Sequence, residues 1–242
     1  MGYFTFLDQA FAQLARERSG TSAASLLEQG ASVLTAVLDG PATAAAFLEE
    51  WSKRFQGGEV RERGQSQLHN NGFSKISLLR FGQGWNLRLH FWPTGYVDSR
   101  IHDHRWSFWS MTLAGAITAR NFVIDDRTLQ RTTCVRLYDA AADGSKKIEV
   151  IEPAGLRCSG SYELAAGHAH LLDYRDPHRV ANTGTSPAVT LMLSAPAERD
   201  FSHSYGSRGP SPQLAAPPRL DDAAVVQQVA QVTELLAAAG EW

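Results

Sequence analysis

Cysteine is scarce: Cys134 and Cys158 are the only two in 242 residues. That excludes a disulfide scaffold, and packing in a reducing cytoplasm is the default for both thiols. Charge of one sign is also missing. With 23 Lys and Arg against 25 Asp and Glu, the formal net charge is −2. No global basic field therefore points to nucleic acid or to a membrane surface. Apolar runs stay well short of the ~20 residues of a membrane-spanning helix. Met1-Gly2-Tyr3-Phe4 opens with no basic segment followed by an apolar one, so no secretory signal is expected. There is no internal repeat and no nucleotide fingerprint. Gly82-Gln83-Gly84 is followed by no helix signal and reads as a hairpin turn, not a phosphate loop.

What is present falls into three stretches. Residues 1–56 read as a helical region. Phe4, Leu7, Ala10, Phe11 and Leu14 recur at spacings of three and four, and Thr21-Ser22 caps a second helix reaching Leu38. Pro41 opens a third helix, with Ala44, Phe47, Leu48 and Trp51 along one face. Residues 57–203 change character. Short runs rich in β-branched and aromatic residues alternate with turn signals such as Pro93-Thr94-Gly95, Gly115, Asp125-Asp126, Asp143-Gly144 and Gly167. Many short strands at regular spacing predict a mainly β sandwich or barrel. Residues 204–242 hold a proline-rich connector, Ser207 to Arg219. After it Asp221-Asp222 caps a last helix with Val225, Val229, Val232 and Leu235-Leu236 on its apolar side.

The chemistry concentrates in two segments. Gly95-x6-His102-Asp103-His104 carries two histidines one residue apart, and His178-x3-Asn182 carries a third. Alternation along a strand puts His102 and His104 on one face and Asp103 on the other, where it is a candidate orienter and not a ligand. A third imidazole from a neighbouring strand would close a three-nitrogen site, a donor set that suits iron, zinc, copper or nickel. The runs Trp106–Ile117 and Val180–Leu193 read as the strands that carry these motifs.

These segments resemble the two motifs of the cupin superfamily, whose fold is a double-stranded β-barrel (a jelly roll) with a metal at its mouth. By this resemblance the helical N-terminus is a layer on the barrel and the C-terminal helix an addition. The usual cupin glutamate after the first pair is absent, since Ser107, Phe108, Trp109 and Ser110 stand there. Within the superfamily, Ser99-Arg-Ile-His-Asp-His104, His178-Arg-Val-Ala-Asn182 and Pro187-Ala-Val-Thr-Leu-Met-Leu-Ser-Ala-Pro196 are similar to stretches of the cysteine dioxygenase family. The similarity covers about Phe73 to Pro196. It implies a mononuclear iron(II) held by His102, His104 and His178, and oxidation of a small molecule by dioxygen. The departures are as informative. The family's carboxylate-binding arginine falls on Lys75, its tyrosine on Ser194, the histidine orienting that tyrosine on Met192, and its crosslinking cysteine on Trp109. A substrate other than cysteine is expected.

Around the motifs, Trp85, Phe91, Trp92, Trp106, Phe108, Trp109 and Tyr174 form either a stacking pocket or ordinary core. Lys75 and Arg88 are the candidate holders of an anionic substrate group. Arg88 stands out among Arg88, Arg100, Arg105 and Arg179 because it alternates in register with Asn86 and His90. Tyr174 or Tyr205 is a candidate replacement for the missing tyrosine, with His203 and Tyr205 covering the mouth. A second pair, His168 and His170, reads as a hairpin tip on the rim. The expected partners are a small-molecule substrate and dioxygen, in a cytoplasmic protein that pairs as a homodimer through exposed sheet edges. Two other readings stay open: a redox-neutral isomerase, lyase or cyclase using zinc, nickel or manganese as Lewis acid, and a non-catalytic small-molecule-binding cupin.

Overall fold

The structure is a computed structural model that describes residues 2–17, 21–60, 62, 64–69, 71–139, 145–206 and 213–239. Three helices come first: α1 (Tyr3–Arg16), α2 (Ala23–Val37) and α3 (Pro41–Gln56). Each buries the stripe that its spacing dictates, Phe4, Leu7, Phe11 and Leu14 in α1, and Ala44, Phe47, Leu48, Trp51 and Phe55 in α3. Ser22 caps α2 by accepting the Ser25 N–H at 3.2 Å. The last helix, α4 (Asp222–Ala238), is capped by Asp221 and packs Val225, Val229, Val232 and Leu236 inward.

Between the helices run thirteen strands among the described residues. They are β1 (Gln67–Leu68), β2 (Ser74–Phe81), β3 (Trp85–Trp92), β4 (Ile101–His102), β5 (Phe108–Ala114), β6 (Ala116–Ile124), β7 (Arg131–Asp139), β8 (Lys146–Ala165), β9 (Ala169–Leu172), β10 (His178–Ala181), β11 (Ala188–Ser194), β12 (Phe201–Gly206) and β13 (Gln213–Leu214). They form two antiparallel sheets, the jelly-roll arrangement expected of a cupin. One has the order β1-β2-β3-β11-β5-β9, the other β13-β8-β6-β10-β4-β12-β7. The 20-residue β8 pairs with β7 along its first half and β6 along its second, so hydrogen bonding in the second sheet runs from β8 round to β7 and back to β8.

The six-stranded sheet has two different faces. One carries Ile76, Leu78, Trp85, Leu87, Leu89, Trp109, Met111, Leu113, Val189, Leu191 and Leu193, merged with the helices into the main core. Trp51 fastens this face by donating its indole N–H to the Leu78 carbonyl at 2.8 Å, where β2 bulges against β3. The register places Lys75, Ser77, Arg88, His90, Ser110, Thr112, Thr190 and Ser194 together on the opposite face, inside the barrel.

Several expected boundaries shift. The run Trp106–Ile117 is two strands in different sheets. Gly115, at φ +69°, makes the change of direction, and a Cβ there would lie 2.7 Å from the Pro187 carbonyl. Val180–Leu193 likewise divides into the end of β10 and β11. Asn182 holds that crossing: it donates to the carbonyls of Trp92, Pro93 and Ser186 and accepts the Gly184 N–H. The strand β12 crosses the expected barrel end at residue 203. Of the proline-rich connector, 207–212 lies outside the described residues, as does the Asp143-Gly144 turn. The rest is extended and tied to β1, through Leu68 N–H to Pro218 O at 2.8 Å. No single helix among the described residues is long and apolar enough to cross a membrane.

Candidate metal centre

His102 ends β4 and His178 begins β10, and the two are direct cross-strand neighbours. His104 follows β4 in the loop. One ring nitrogen from each of the three lies within 4.8 Å of the others, the only such group of His, Cys, Asp or Glu among the described residues. His104 Nε2 and His178 Nε2 are 3.3 Å apart. Two ligand nitrogens each about 2.1 Å from a shared ion sit roughly 3.0–3.4 Å apart, so the pair has the spacing that an ion requires. His178 Nδ1 faces the Asp176 carbonyl at 3.0 Å, which fixes a proton on Nδ1 and leaves Nε2 as a lone pair. Burial holds His104 and His178 well below the usual imidazole range, so both are neutral, the form that binds metal. The residues present therefore fit a metal ion held by three imidazole nitrogens.

The supporting frame comes from the other face of β4. Asp103 is buried, and its carboxylate receives the backbone N–H of His203 at 2.5 Å and the His203 ring at 2.8 Å, and it pairs with Arg199. Arg199 in turn donates to the His104 carbonyl at 2.7 Å and the Tyr174 carbonyl at 3.1 Å. The His104 N–H donates to the same Tyr174 carbonyl at 3.2 Å. Asp103 thus orients His104 through Arg199 and the backbone.

Opposite the three histidines stands a wall rich in nitrogen. Lys75 and His90 face each other across β2 and β3, and Arg88 lies two residues along on the same face. Burial first, then Arg88 and Lys146, pushes Lys75 down to about 7. Burial, with Arg80 and Arg105, brings Arg88 down to about 10. Arg88 donates to Ser194 Oγ at 3.3 Å and lies 5.2 Å over the Trp106 ring. No carboxylate among the described residues pairs with Lys75 or Arg88. His90 is 7 % exposed, its Nε2 has no partner, and burial with Lys75 and Arg88 keeps it neutral. Trp106 Nε1 is also buried without a partner.

The aromatic set divides. Trp85 and Trp109 belong to the helix-facing core with Phe91 packed against it, and Trp92 stacks on Phe73 at 4.3 Å. Only Trp106 and Phe108 meet the histidines, 5.9 and 5.0 Å from the His104 ring. The ladder between β5 and β11 is regular through Trp109, so alternation turns its side chain away from the site. Tyr174 meets the site through its carbonyl, while its ring lies against Arg175 and Arg199. His203 and Tyr205 belong to β12 and do not cover the mouth: His203 is held by Asp103, and Tyr205 is buried. His168 is exposed on the turn, as its rim position predicts. His170 instead pairs with Ser110 on the barrel face, pushed down to about 4 by burial.

Sequence reasoning missed His90 as a site residue, although its alternation with Arg88 was visible. Two surface grooves, about 410 Å³ between α3 and α4 and about 670 Å³ between α2 and β9, are lined by none of the three histidines.

No family model matches the chain, and no curated protein matches it. Solved structures do. The TT1209 protein of Thermus thermophilus is 18% identical, over 54% of this chain and 89% of that one, with a TM-score of 0.32. A cupin superfamily protein from Desulfitobacterium hafniense is 10% identical over 53% and 81%, TM-score 0.31. Hydroquinone 1,2-dioxygenase from a Sphingomonas species, with 4-hydroxybenzoate bound, is 16% identical over 51% and 65%, TM-score 0.33. At these identities the likeness is one of fold class and nothing finer.

Proposed function

We propose that this chain is a mononuclear non-haem iron(II) oxygenase acting on a small anionic molecule. The observation that carries the reading is the convergence of three histidines, two of them held neutral by burial, with no carboxylate among their partners. Iron(II) held there would keep its full charge and offer open positions for a chelating substrate and dioxygen. The protein's own part is positioning. His102, His104 and His178 hold the ion, and the Asp103–Arg199 frame fixes His104. Lys75 and Arg88 hold the anionic group of the substrate. Trp106 and Phe108 exclude water beside His104. Tyr174 contributes its carbonyl to the frame.

The resemblance to thiol dioxygenases extends to the ligand set and stops at the substrate. Ser194 stands where the family has its tyrosine, and here its hydroxyl anchors Arg88. The hydrogen bonding on this wall thus differs from the family pattern, which supports a substrate other than cysteine.

A second reading, a redox-neutral isomerase, lyase or cyclase using zinc, nickel or manganese, rests on one observation. Among the described residues no phenol is a hydrogen-bond or ring partner of the three histidines. The deciding experiment is elemental analysis of protein purified without oxygen or added metal, followed by oxygen-uptake screening of thiols and aromatic acids. Near-stoichiometric iron, lost in His178→Ala, with substrate-dependent oxygen uptake is the expected result. Full turnover of a substrate without oxygen would overturn the oxygenase reading in favour of the second. An inability to take up any divalent ion would overturn both.

A further inference from the structure

We propose that the wall facing the three histidines is a dianion subsite, in which Lys75, Arg88, His90 and Trp106 together receive two acidic groups of one small organic substrate. This rests on the reading of the barrel interior as the substrate site and deepens it by naming the substrate class.

The argument starts from charge. Arg88 is a cation inside a barrel, and its only hydrogen-bond partner among the described residues is the neutral Ser194. Lys75 stands beside it with no hydrogen-bond or ion-pair partner among them. The one carboxylate that bears on Lys75, Asp139, is already shared by Arg105 and Lys146 at the rim. Removing a guanidinium and an amine that can take up a proton from water without counter-charge is costly, and proteins keep such groups where a ligand brings the charge.

Donor supply points the same way. His90 Nε2 and Trp106 Nε1 are both buried without a partner, and both lie on this wall. Register puts His90 opposite Lys75, and the guanidiniums of Arg88 and Arg105 lie 5.2 and 5.1 Å from the Trp106 ring. The free donors of these four side chains exceed the roughly four acceptor positions of a single carboxylate. Two carboxylates, or one carboxylate and a second oxyanion, match both the charge and the donor count. The guanidinium supplies a planar fork for one of them and the ammonium a point charge for the other. The Trp106 ring lies 5.2 Å from the Arg88 guanidinium and 5.9 Å from the His104 ring, so a molecule on this wall is within reach of the metal ligands.

The test uses the full chain, metal-free, and the probes succinate and glutarate against butyrate and acetate at equal ionic strength. Tryptophan fluorescence and titration calorimetry report binding, and cobalt(II) absorbance reports the histidine site separately. Saturable dicarboxylate binding, about tenfold or more tighter than monocarboxylate binding, is expected. Arg88→Met should abolish that preference and His90→Leu should weaken it several-fold, with cobalt(II) binding retained in both. Circular dichroism checks the fold, and Lys75→Met serves in place of Arg88→Met if the latter does not fold. Equal binding of mono- and dicarboxylates, or a preference that survives in the folded variants, overturns the proposal. A wild-type chain that binds dicarboxylates but no cobalt(II) would sink the metal reading and leave the subsite standing.

Discussion

Replacing Arg88 by methionine should make the empty protein no less stable, and by a modest margin more stable. Truncating a buried side chain ordinarily does the opposite. Burial brings the guanidinium from its ordinary range down to about 10, so at pH 7 it remains charged in surroundings that disfavour the charge. That displacement corresponds to about 3 kcal/mol at ~1.4 kcal/mol per pH unit. Methionine has similar length and no charge, so this strain disappears. Against it stand the contact with Trp106, worth about 0.5–2 kcal/mol, and the hydrogen bond to Ser194, worth about 1 kcal/mol. The balance is a gain of about 1 kcal/mol. Urea unfolding of the metal-free chain in a chloride buffer at pH 7 measures it. Adding glutarate should raise the wild-type midpoint and leave that of Arg88→Met in place. A loss of about 2 kcal/mol or more in the chloride buffer would refute the reasoning, because it would mean that Arg88 already has a strong partner in the empty barrel.

Two further outcomes follow from the same geometry. Asn182→Ala should destabilise the chain by about 2–3 kcal/mol in urea unfolding, since the Trp92 carbonyl loses a buried amide donor and the turn through Pro93, Gly184 and Ser186 loses three further hydrogen bonds; a loss under about 0.5 kcal/mol would mean that water replaces the amide. For Lys75, the folded chain releases the proton near pH 7 while the unfolded chain keeps it to about 10.5. The unfolded state therefore binds more protons between those values, and stability rises with pH across that window. Metal-free wild type should gain on Lys75→Met from about pH 7 to about pH 10 in paired urea titrations, and a constant gap would show that Lys75 keeps its proton when folded.

Period-two alternation was enough to place His102 and His104 on one side and Asp103 on the other. It also grouped Asn86, Arg88 and His90. It could not say which way that group points, because both faces of the six-stranded sheet are covered, one by helices and one by the second sheet. A strand buried on both sides has no solvent face to serve as reference. The same blindness joined β5 to β6 and β10 to β11: the hydrophobic pattern continues through Gly115 and Asn182 while the chain changes sheet. The pairing of His102 with His178, and the entry of His170 into the barrel, depend on strand neighbours far apart in sequence, which no local pattern carries.

The two faces of that sheet explain how the chain tolerates so polar an interior. Its apolar face, fused with α1 to α4 through residues such as Phe11, Trp51, Leu89 and Leu191, holds most of the buried hydrocarbon. Burial of that kind supplies the dominant stabilising term, so the fold does not depend on an apolar barrel. The barrel face is then free to keep Lys75, Arg88 and His90 short of partners, an arrangement that weakens the empty protein and becomes favourable only when counter-charge arrives. On the proposed reading, stability and ligand recognition fall on opposite sides of the same strands. In the middle of β3, truncation at Leu87 or Leu89 should cost mainly stability, whereas neutral replacement at Arg88 or His90 should cost mainly anion binding.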